Sequence, residues 1–161
     1  MEPSSSAGPL THYQALLDID YAAHLAELHC RLLRRVDRII VWLGLAGGTT
    51  SLASAFAATP VLAGIGGAVV TVLSLYALAF RPAEAAEAHA ADKRKFLALK
   101  ARASTMSPEK ITSALARIQI DAQSTWDCLQ LPAYNDVVTS AGRPEAVQKT
   151  TRWENFIRAI A

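Results

Sequence analysis

The feature that most constrains this sequence is a long stretch without ionisable side chains. From Ile39 to Phe80 there is no Asp, Glu, Lys, Arg or His, and Thr59-Pro60 divides the stretch into two halves, 39–58 and 61–80. At a rise of about 1.5 Å per residue, each half would form a helix about 30 Å long, which matches the hydrocarbon thickness of a bilayer. A buried core helix of a soluble protein normally keeps a polar face, and neither half has one. The sequence therefore predicts a two-helix transmembrane hairpin over 39–80.

Basic residues flank both predicted spans, whereas the connection between the spans carries no charge. Because Lys and Arg are enriched on the cytoplasmic side of membrane helices, this distribution predicts that both termini lie in the cytoplasm. We expect the spans to be retained as anchors, since no secretory signal precedes them. The arginines before the first span could bind anionic lipid or pair with Glu84 and Glu87. The juxtamembrane basic residues are Arg31, Arg34, Arg35 and Arg38 before the first span and Arg81, Lys93, Arg94 and Lys95 after the second.

The rest of the chain is predicted to be helical, which makes the expected fold an all-α membrane protein with long helical extensions that form a cytoplasmic helical bundle. Residues 1–12 are expected to be a disordered N-terminus. Residues 13–38 have helical periodicity and continue into the first span without an intervening Gly or Pro. Residues 81–161 form the predicted cytoplasmic helical region, and Arg81-Pro82 should kink or restart the helix because proline lacks a backbone N–H.

Within this region the sequence indicates three helices. Ala83–Ala103 is the first, followed by a break over Ser104–Ser107. Ser107-Pro108 is a typical helix start, the chain is expected to loosen after Leu131-Pro132, and Glu145–Ile160 is predicted as the last helix. The second helix carries an apolar seam, which either packs within a three-helix bundle or joins two protomers. The seam residues are Ile111, Leu115, Ile118, Ala122, Thr125 and Leu129.

Small residues lie on one face of each predicted span. In lipid such residues let helix backbones approach closely, so these faces are candidates for packing. Two alternatives remain open: the faces pack the hairpin on itself, or they line a pathway in an oligomer. The candidate packing or pore-lining residues are Gly44, Gly47, Gly48, Ser51 and Ser54 in the first span and Gly64, Gly67, Thr71 and Ser74 in the second.

No catalytic, metal or cofactor motif emerges from the sequence. The glycine-rich segment Gly44–Thr50 lacks the lysine of a phosphate-binding loop. His24 and His29 are five residues apart, which places them on different faces of a helix, and Glu84, Glu87 and His89 are expected to form a solvated face. Cys30 and Cys128 are predicted to be free thiols. We therefore expect neither an enzyme nor a cofactor, and the mild net charge of +2 implies no nucleic-acid partner.

The overall layout resembles that of the SLATT proteins, two-transmembrane effectors associated with nucleotide-second-messenger systems of bacteria. The resemblance covers about Leu16 to Tyr134: a leading helix holding Tyr21, His24 and Arg31, two tightly linked spans, a long post-membrane helix and a tail with Leu131-Pro132-Ala133-Tyr134. It implies an antiviral defence effector of the bacterial inner membrane. Such a protein would form a homo-oligomer in the bilayer and breach it through a low-selectivity pore or a lesion, arresting the infected cell. A sensor or second-messenger-producing partner chain would supply the trigger.

Two other classes compete with this interpretation. A membrane anchor or assembly scaffold would use its cytoplasmic helices to recruit a partner and would be harmless to the membrane. A phage holin also uses short hairpins to make lesions, but the large extensions on both sides of the hairpin count against it. Because neither span contains an ionisable group, a proton relay, a charge-selective filter or a coupled transporter is disfavoured.

Overall fold

The computed structural model of the chain describes residues 11–56 and 60–161, of which 86 % are helical and none lies in a strand. The predicted all-α fold is confirmed. Most of the predicted disordered N-terminus, residues 1–10, and the centre of the inter-span connection, residues 57–59, lie outside the described residues. The elements are α1 (His12–Phe56), α2 (Pro60–Phe80), α3 (Pro82–Ala103), α4 (Pro108–Ile120), α5 (Asp127–Ser140), a 3₁₀ turn (Pro144–Ala146) and α6 (Arg152–Ile160).

The chain divides into two compact units. Unit 1 comprises residues up to His29 together with Ala88–Ala161, and unit 2 comprises Cys30–Glu87. Helix α1 is continuous from His12 to Phe56, which confirms the prediction that the helix before the first span runs into it without a break.

In unit 2 the second half of α1 packs against α2 through very small side chains. The hydroxyl of Ser51 donates a hydrogen bond to the carbonyl oxygen of Ala63 at 3.1 Å. A Cβ added at Gly66 would lie 2.7 Å from the carbonyl oxygen of Gly47, a distance that two such atoms do not tolerate. Glycine is therefore required at position 66 for the two backbones to approach. Apart from Gly67, the buried or half-buried positions of α2 follow steps of three and four residues: Ala63, Gly66, Val70, Leu73 and Ala77.

One helical stretch of the described residues, Val61–Ala103, is long and apolar enough to cross a membrane. Only 6 % of the most apolar segment of this stretch is buried within the protein, so that segment does not form part of a core.

The predicted kink or restart of the helix at Arg81-Pro82 is also present. Arg81 has a φ of 42°, because proline disfavours helical geometry in the preceding residue, and α3 restarts at Pro82. The backbone hydrogen bonds continue across this point, from Arg81 N–H to Ala77 and from Ala85 N–H to Arg81, both at 3.0 Å.

Unit 1 is built on a core shared by three helices. The early part of α1 contributes alanines and Ile19, α3 contributes Phe96 and Leu99, and α4 contributes Ile111 and Leu115. The apolar seam of α4 is therefore used within the chain, and the predicted three-helix packing is confirmed. Helix α5 packs against α6 and carries a buried apolar set of its own, which consists of Leu129, Pro132, Ala133, Val137 and Val138.

The predicted seam was wrong in its extent. It assumed one helix from Ser107 to Leu129, whereas α4 ends at Ile120 and the link 121–126 is not helical. Two hydrogen bonds from other helices hold this link. The backbone N–H of Gln123 donates to Asp92 Oδ2 at 2.9 Å, and that of Trp126 donates to His29 Nε2 at 2.8 Å. Because both N–H groups are used in this way, neither completes the hydrogen-bond ladder of a helix.

The C-terminal region also differs from the prediction. The chain does not loosen after Leu131-Pro132, since α5 continues through the buried Pro132 to Ser140. The predicted turn at Gly142 is present, with φ of 74°. The last helix begins at Arg152 and not at Glu145. The side-chain amide of Asn135 exchanges two hydrogen bonds with the backbone of Gln148, at 2.8 and 2.9 Å, which keeps that segment out of a helix, and Thr151 then forms a capping box with Glu154.

The glycine contact in unit 2 can be tested by paired substitutions. We expect Gly66→Leu to lower the free energy of unfolding by about 1–3 kcal/mol, because the added side chain overpacks against the α1 backbone. Gly64→Leu is the matched control, since a Cβ there meets nothing within 4 Å. Thermal unfolding of the detergent-solubilised monomer, followed by helical circular dichroism, measures both. Equal midpoints for the two variants would contradict this packing.

Candidate functional site

The predicted small-residue faces of unit 2 are partly used in packing α1 on α2. Gly47 and Ser51 lie in the contact, and a Cβ at Gly67 would lie 3.9 Å from Ser51 Oγ. Ser54 is buried. The closest approach involves Gly66, which the sequence analysis did not select. Its position in the stripe with Ala63, at steps of three and four, was the signal that could have identified it.

The other members of those faces lie outside the contact between α1 and α2. A Cβ at Gly44, Gly48 or Gly64 would meet nothing within 4 Å. Thr71 and Ser74 are exposed, and the Thr71 hydroxyl donates to the Gly67 carbonyl oxygen of its own helix at 2.9 Å. These residues lie outside the contact because the closest backbone approach is at Gly47 and Gly66, which places them on other sides of the two helices. Their use between protomers stays a prediction.

The predicted juxtamembrane basic residues are divided between the two units. In unit 2, Arg34 pairs with Glu87 at 2.8 Å, whereas Arg81 pairs with Glu84, three residues away, at 3.2 Å. The alternative in which these arginines meet the early carboxylates of α3 therefore holds for Glu87. Arg31, Arg35 and Arg38 are exposed. In unit 1, Lys93 pairs with Glu27 and Lys95 with Asp92, while Arg94 is exposed.

Unit 1 contains a cavity of about 390 Å³, and Asp92 of the Lys95–Asp92 pair is part of its lining. Tyr21 and Leu25 of α1 form one wall, and His89, Asp92 and Phe96 of α3 form a second. The end of α4 and the link 121–126 form the third wall, with Gln119, Gln123 and Thr125 among its residues. The wall composition combines apolar surface with several amide and hydroxyl groups, which is typical of small-molecule sites.

His29 is the residue that connects these walls. Its Nδ1 lies 2.8 Å from the carbonyl oxygen of Leu25, and its Nε2 accepts the N–H of Trp126 at 2.8 Å. Nδ1 must therefore carry the proton, and the imidazole is neutral. Burial lowers the pKa of His29, with the Leu25 hydrogen bond acting in the opposite direction. The residue is 1 % exposed, so its role is to hold the link in place and not to react with a ligand.

His89 stacks on His29 with ring centroids 4.8 Å apart and is 5 % exposed. Burial, and to a lesser extent the electrostatic influence of the neighbouring His29, lowers the pKa of His89 to about 4, and Asp92 opposes this shift. None of the side-chain hydrogen bonds among the described residues uses a ring nitrogen of His89. A neutral imidazole with a donor and an acceptor thus lines the cavity.

Asp92 is the buried charge of the site. It is 4 % exposed, with Oδ1 2.8 Å from Lys95 Nζ and Oδ2 accepting the Gln123 N–H. A buried carboxylate needs such partners, because an unpaired one is strongly destabilising. The carboxylate therefore holds the link to α3 while one side of it lines the cavity.

The prediction that His89 belongs to a solvated face was wrong. Buried positions of α3 recur at steps of three and four residues, and both His89 and Asp92 fall on them. The full set is Pro82, Ala86, His89, Asp92, Phe96, Leu99 and Ala103. That periodicity was present in the sequence and could have identified both residues. Tyr21, whose pKa is raised by burial, is the residue named in the family resemblance that lines the cavity.

The described residues contain no group of three or more His, Cys, Asp and Glu side chains that could hold a metal ion. Cys30 and Cys128 are both free, and burial raises the pKa of the Cys128 thiol. Comparison of the chain with protein-family models, with curated proteins and with solved structures finds no match.

The stacked histidines make the stability of unit 1 depend on pH. Below its ordinary pKa of 6.5 the unfolded His89 gains a proton, whereas the folded residue stays neutral down to about pH 4. Stability is therefore lost as the pH falls through that window, by about 2 kcal/mol at pH 5 for His89. His89→Phe keeps an aromatic ring in the stack, and its unfolding midpoint should fall less between pH 7 and pH 5. If the unfolding midpoints of parent and variant in detergent fall equally between pH 7 and pH 5, the lowered pKa of His89 is contradicted.

Proposed function

We propose that this protein is a membrane-embedded effector that inserts a two-helix hairpin into the bacterial inner membrane, oligomerises there and breaches the bilayer in anti-phage defence. The resemblance of the layout to the SLATT proteins supports this proposal. The hairpin consists of the second half of α1 and α2, with both termini in the cytoplasm. It needs no catalytic residue, and any trigger acts through a partner chain or through unit 1.

One observation carries the proposal: the outer surface of unit 2 is apolar and exposed. Trp42 and Leu78 are each 70 % exposed, and α2 carries no charged side chain on any side. Soluble monomers rarely expose contiguous apolar patches of this size, so lipid is the environment that fits this surface. The other large apolar side chains on it include Ile39, Leu45, Leu52, Val61, Leu62, Ile65, Val72 and Leu75.

Oligomerisation is supported by the small residues left outside the α1–α2 contact. Gly44, Gly48 and Gly64 offer open space where a second copy can approach closely, and Thr71 and Ser74 lie exposed on α2. In an oligomer these residues would face other protomers or a pathway. Without ionisable groups such a pathway would discriminate little among solutes.

The orientation is supported by the Lys and Arg count, which remains asymmetric although several of these residues are paired. Arg34, Arg81, Lys93 and Lys95 each have a carboxylate partner. Acidic residues contribute little to membrane topology, so these ion pairs do not weaken the expectation that both termini lie in the cytoplasm.

A membrane anchor or assembly scaffold is the second candidate, and α6 favours it. Trp153 and Phe156 stack with ring centroids 5.7 Å apart, and they are 61 % and 54 % exposed. Exposed aromatic pairs are frequent in recognition surfaces. A scaffold would bind a partner there and leave the membrane intact.

Dye release from liposomes separates the two candidates. We expect the purified protein, reconstituted into bilayers with anionic lipid, to release a small trapped dye. Gly48→Leu and Gly64→Leu should slow the release severalfold and reduce crosslinked oligomers, because the added side chains block close approach between protomers.

Val72→Leu is the matched control, since it adds bulk to an already large side chain that is 65 % exposed. Its release rate should equal that of the parent. Intact liposomes at all protein densities would overturn the effector proposal and leave the anchor. Equal release by all four proteins would overturn the assigned oligomer faces.

A further inference from the structure

We propose that the cavity of unit 1 is a binding site for a small organic cation, a primary ammonium compound with an aromatic or aliphatic body. The ammonium group would lie against Asp92 and the body would pack on Phe96. This inference is independent of the proposed membrane activity, because it concerns unit 1 alone.

The first argument is an unused polar group inside a cavity. His89 is 5 % exposed, lines the cavity and makes no side-chain hydrogen bond among the described residues, whereas the neighbouring His29 uses both ring nitrogens. No fully buried side-chain nitrogen or oxygen among the described residues lacks a hydrogen-bond partner, so the unpaired ring nitrogens of His89 must border the open space of the cavity, where a ligand can use them. Since His89 is neutral at physiological pH, its unprotonated nitrogen can accept a hydrogen bond from an ammonium group.

The second argument is charge. Among the residues that line the cavity, Asp92 is the one charged side chain, and neither Lys nor Arg is present. The counterion of Asp92, Lys95, lies outside the lining with its side chain 50 % exposed. A carboxylate has four lone-pair directions, and the two bonds to Lys95 and Gln123 leave room for a further donor. A ligand cation would share this carboxylate with Lys95, and no positively charged side chain lines the cavity.

The same charge distribution disfavours phosphates and nucleotides. Phosphate sites use Arg, Lys or the N-terminus of a helix, and an anion in this cavity would face Asp92. The remaining polar groups are neutral amides and hydroxyls, including Gln119, Gln123 and Thr125. They can hydrogen-bond an amine or a hydroxyl on the ligand but cannot compensate a phosphate.

Size and shape set the ligand class further. The volume of about 390 Å³ is at the small end of ligand pockets, so a compact molecule is expected. Leu25, Ala26 and Phe96 supply apolar wall surface beside the carboxylate. An arylalkylamine matches both the apolar and the charged parts.

The test uses two probes of similar size and opposite charge, phenethylammonium and 3-phenylpropionate, with 2-phenylethanol as the neutral member. Isothermal titration calorimetry on the full chain in detergent measures their affinities. We expect saturable binding of phenethylammonium, weaker binding of the alcohol and none of the carboxylate. Asp92→Asn should weaken the amine by about tenfold or more, since one charge-assisted hydrogen bond is lost.

Asp20→Asn is the matched control. Asp20 also pairs with a half-exposed lysine of α3, Lys100, but it does not line the cavity. The Asp20→Asn variant should bind phenethylammonium with the same affinity as the parent. Gln119→Lys places a positive charge at an exposed lining position without disturbing the core, and should weaken the amine even if Asp92→Asn fails to fold.

Absence of saturable amine binding, equal binding of phenylpropionate, or equal losses in Asp20→Asn and Asp92→Asn would each overturn the proposal. Dye release from liposomes is measured separately, so failure of one proposal is distinguishable from failure of the other.

Discussion

The hydrogen bond from the backbone N–H of Trp126 to His29 Nε2 is the interaction on which unit 1 depends. It ties the end of the link 121–126 to α1, while Asp92 ties the same link to α3 through Gln123. Together these two bonds end α4 at Ile120 and open the cavity between the three elements. They also explain why His29 stays neutral: its Nε2 lone pair is occupied, and a proton there would break the bond.

Unit 2 follows a different principle, because its contact consists almost entirely of backbone and very small side chains. Gly47 and Gly66 bring the two helices together, and Ser51 adds one hydrogen bond across them. If the two helices lie in lipid, as we propose, no hydrophobic force acts between them, and close packing of this kind would hold them together. The large apolar side chains are thereby left on the outside, where the proposed function places lipid.

Local sequence signals predicted the helices well where they dominated. The end of the charge-free stretch at Phe80, the Pro82 restart and the Ser107-Pro108 start all correspond to observed boundaries. The failures occurred where distant residues decide local structure: the link 121–126 depends on His29 and Asp92, and the delayed start of α6 depends on Asn135. Within the candidate site, His89 and Asp92 lie at the steps of three and four residues that mark the buried face of α3. The neighbouring sequence did not indicate which helix that face would contact. Pairing of residues this far apart in sequence is not encoded in periodicity.

The central claim is that 39–80 crosses a membrane twice with both flanks on the cytoplasmic side, and cysteine accessibility measures it most directly. Single cysteines replace Thr59, Arg35 and Arg94 in a chain with Cys30 and Cys128 changed to Ser, expressed in a bacterial host. A membrane-impermeant maleimide should label position 59 in intact cells, and positions 35 and 94 only after the inner membrane is permeabilised. Labelling of all three positions from the same side would contradict the hairpin.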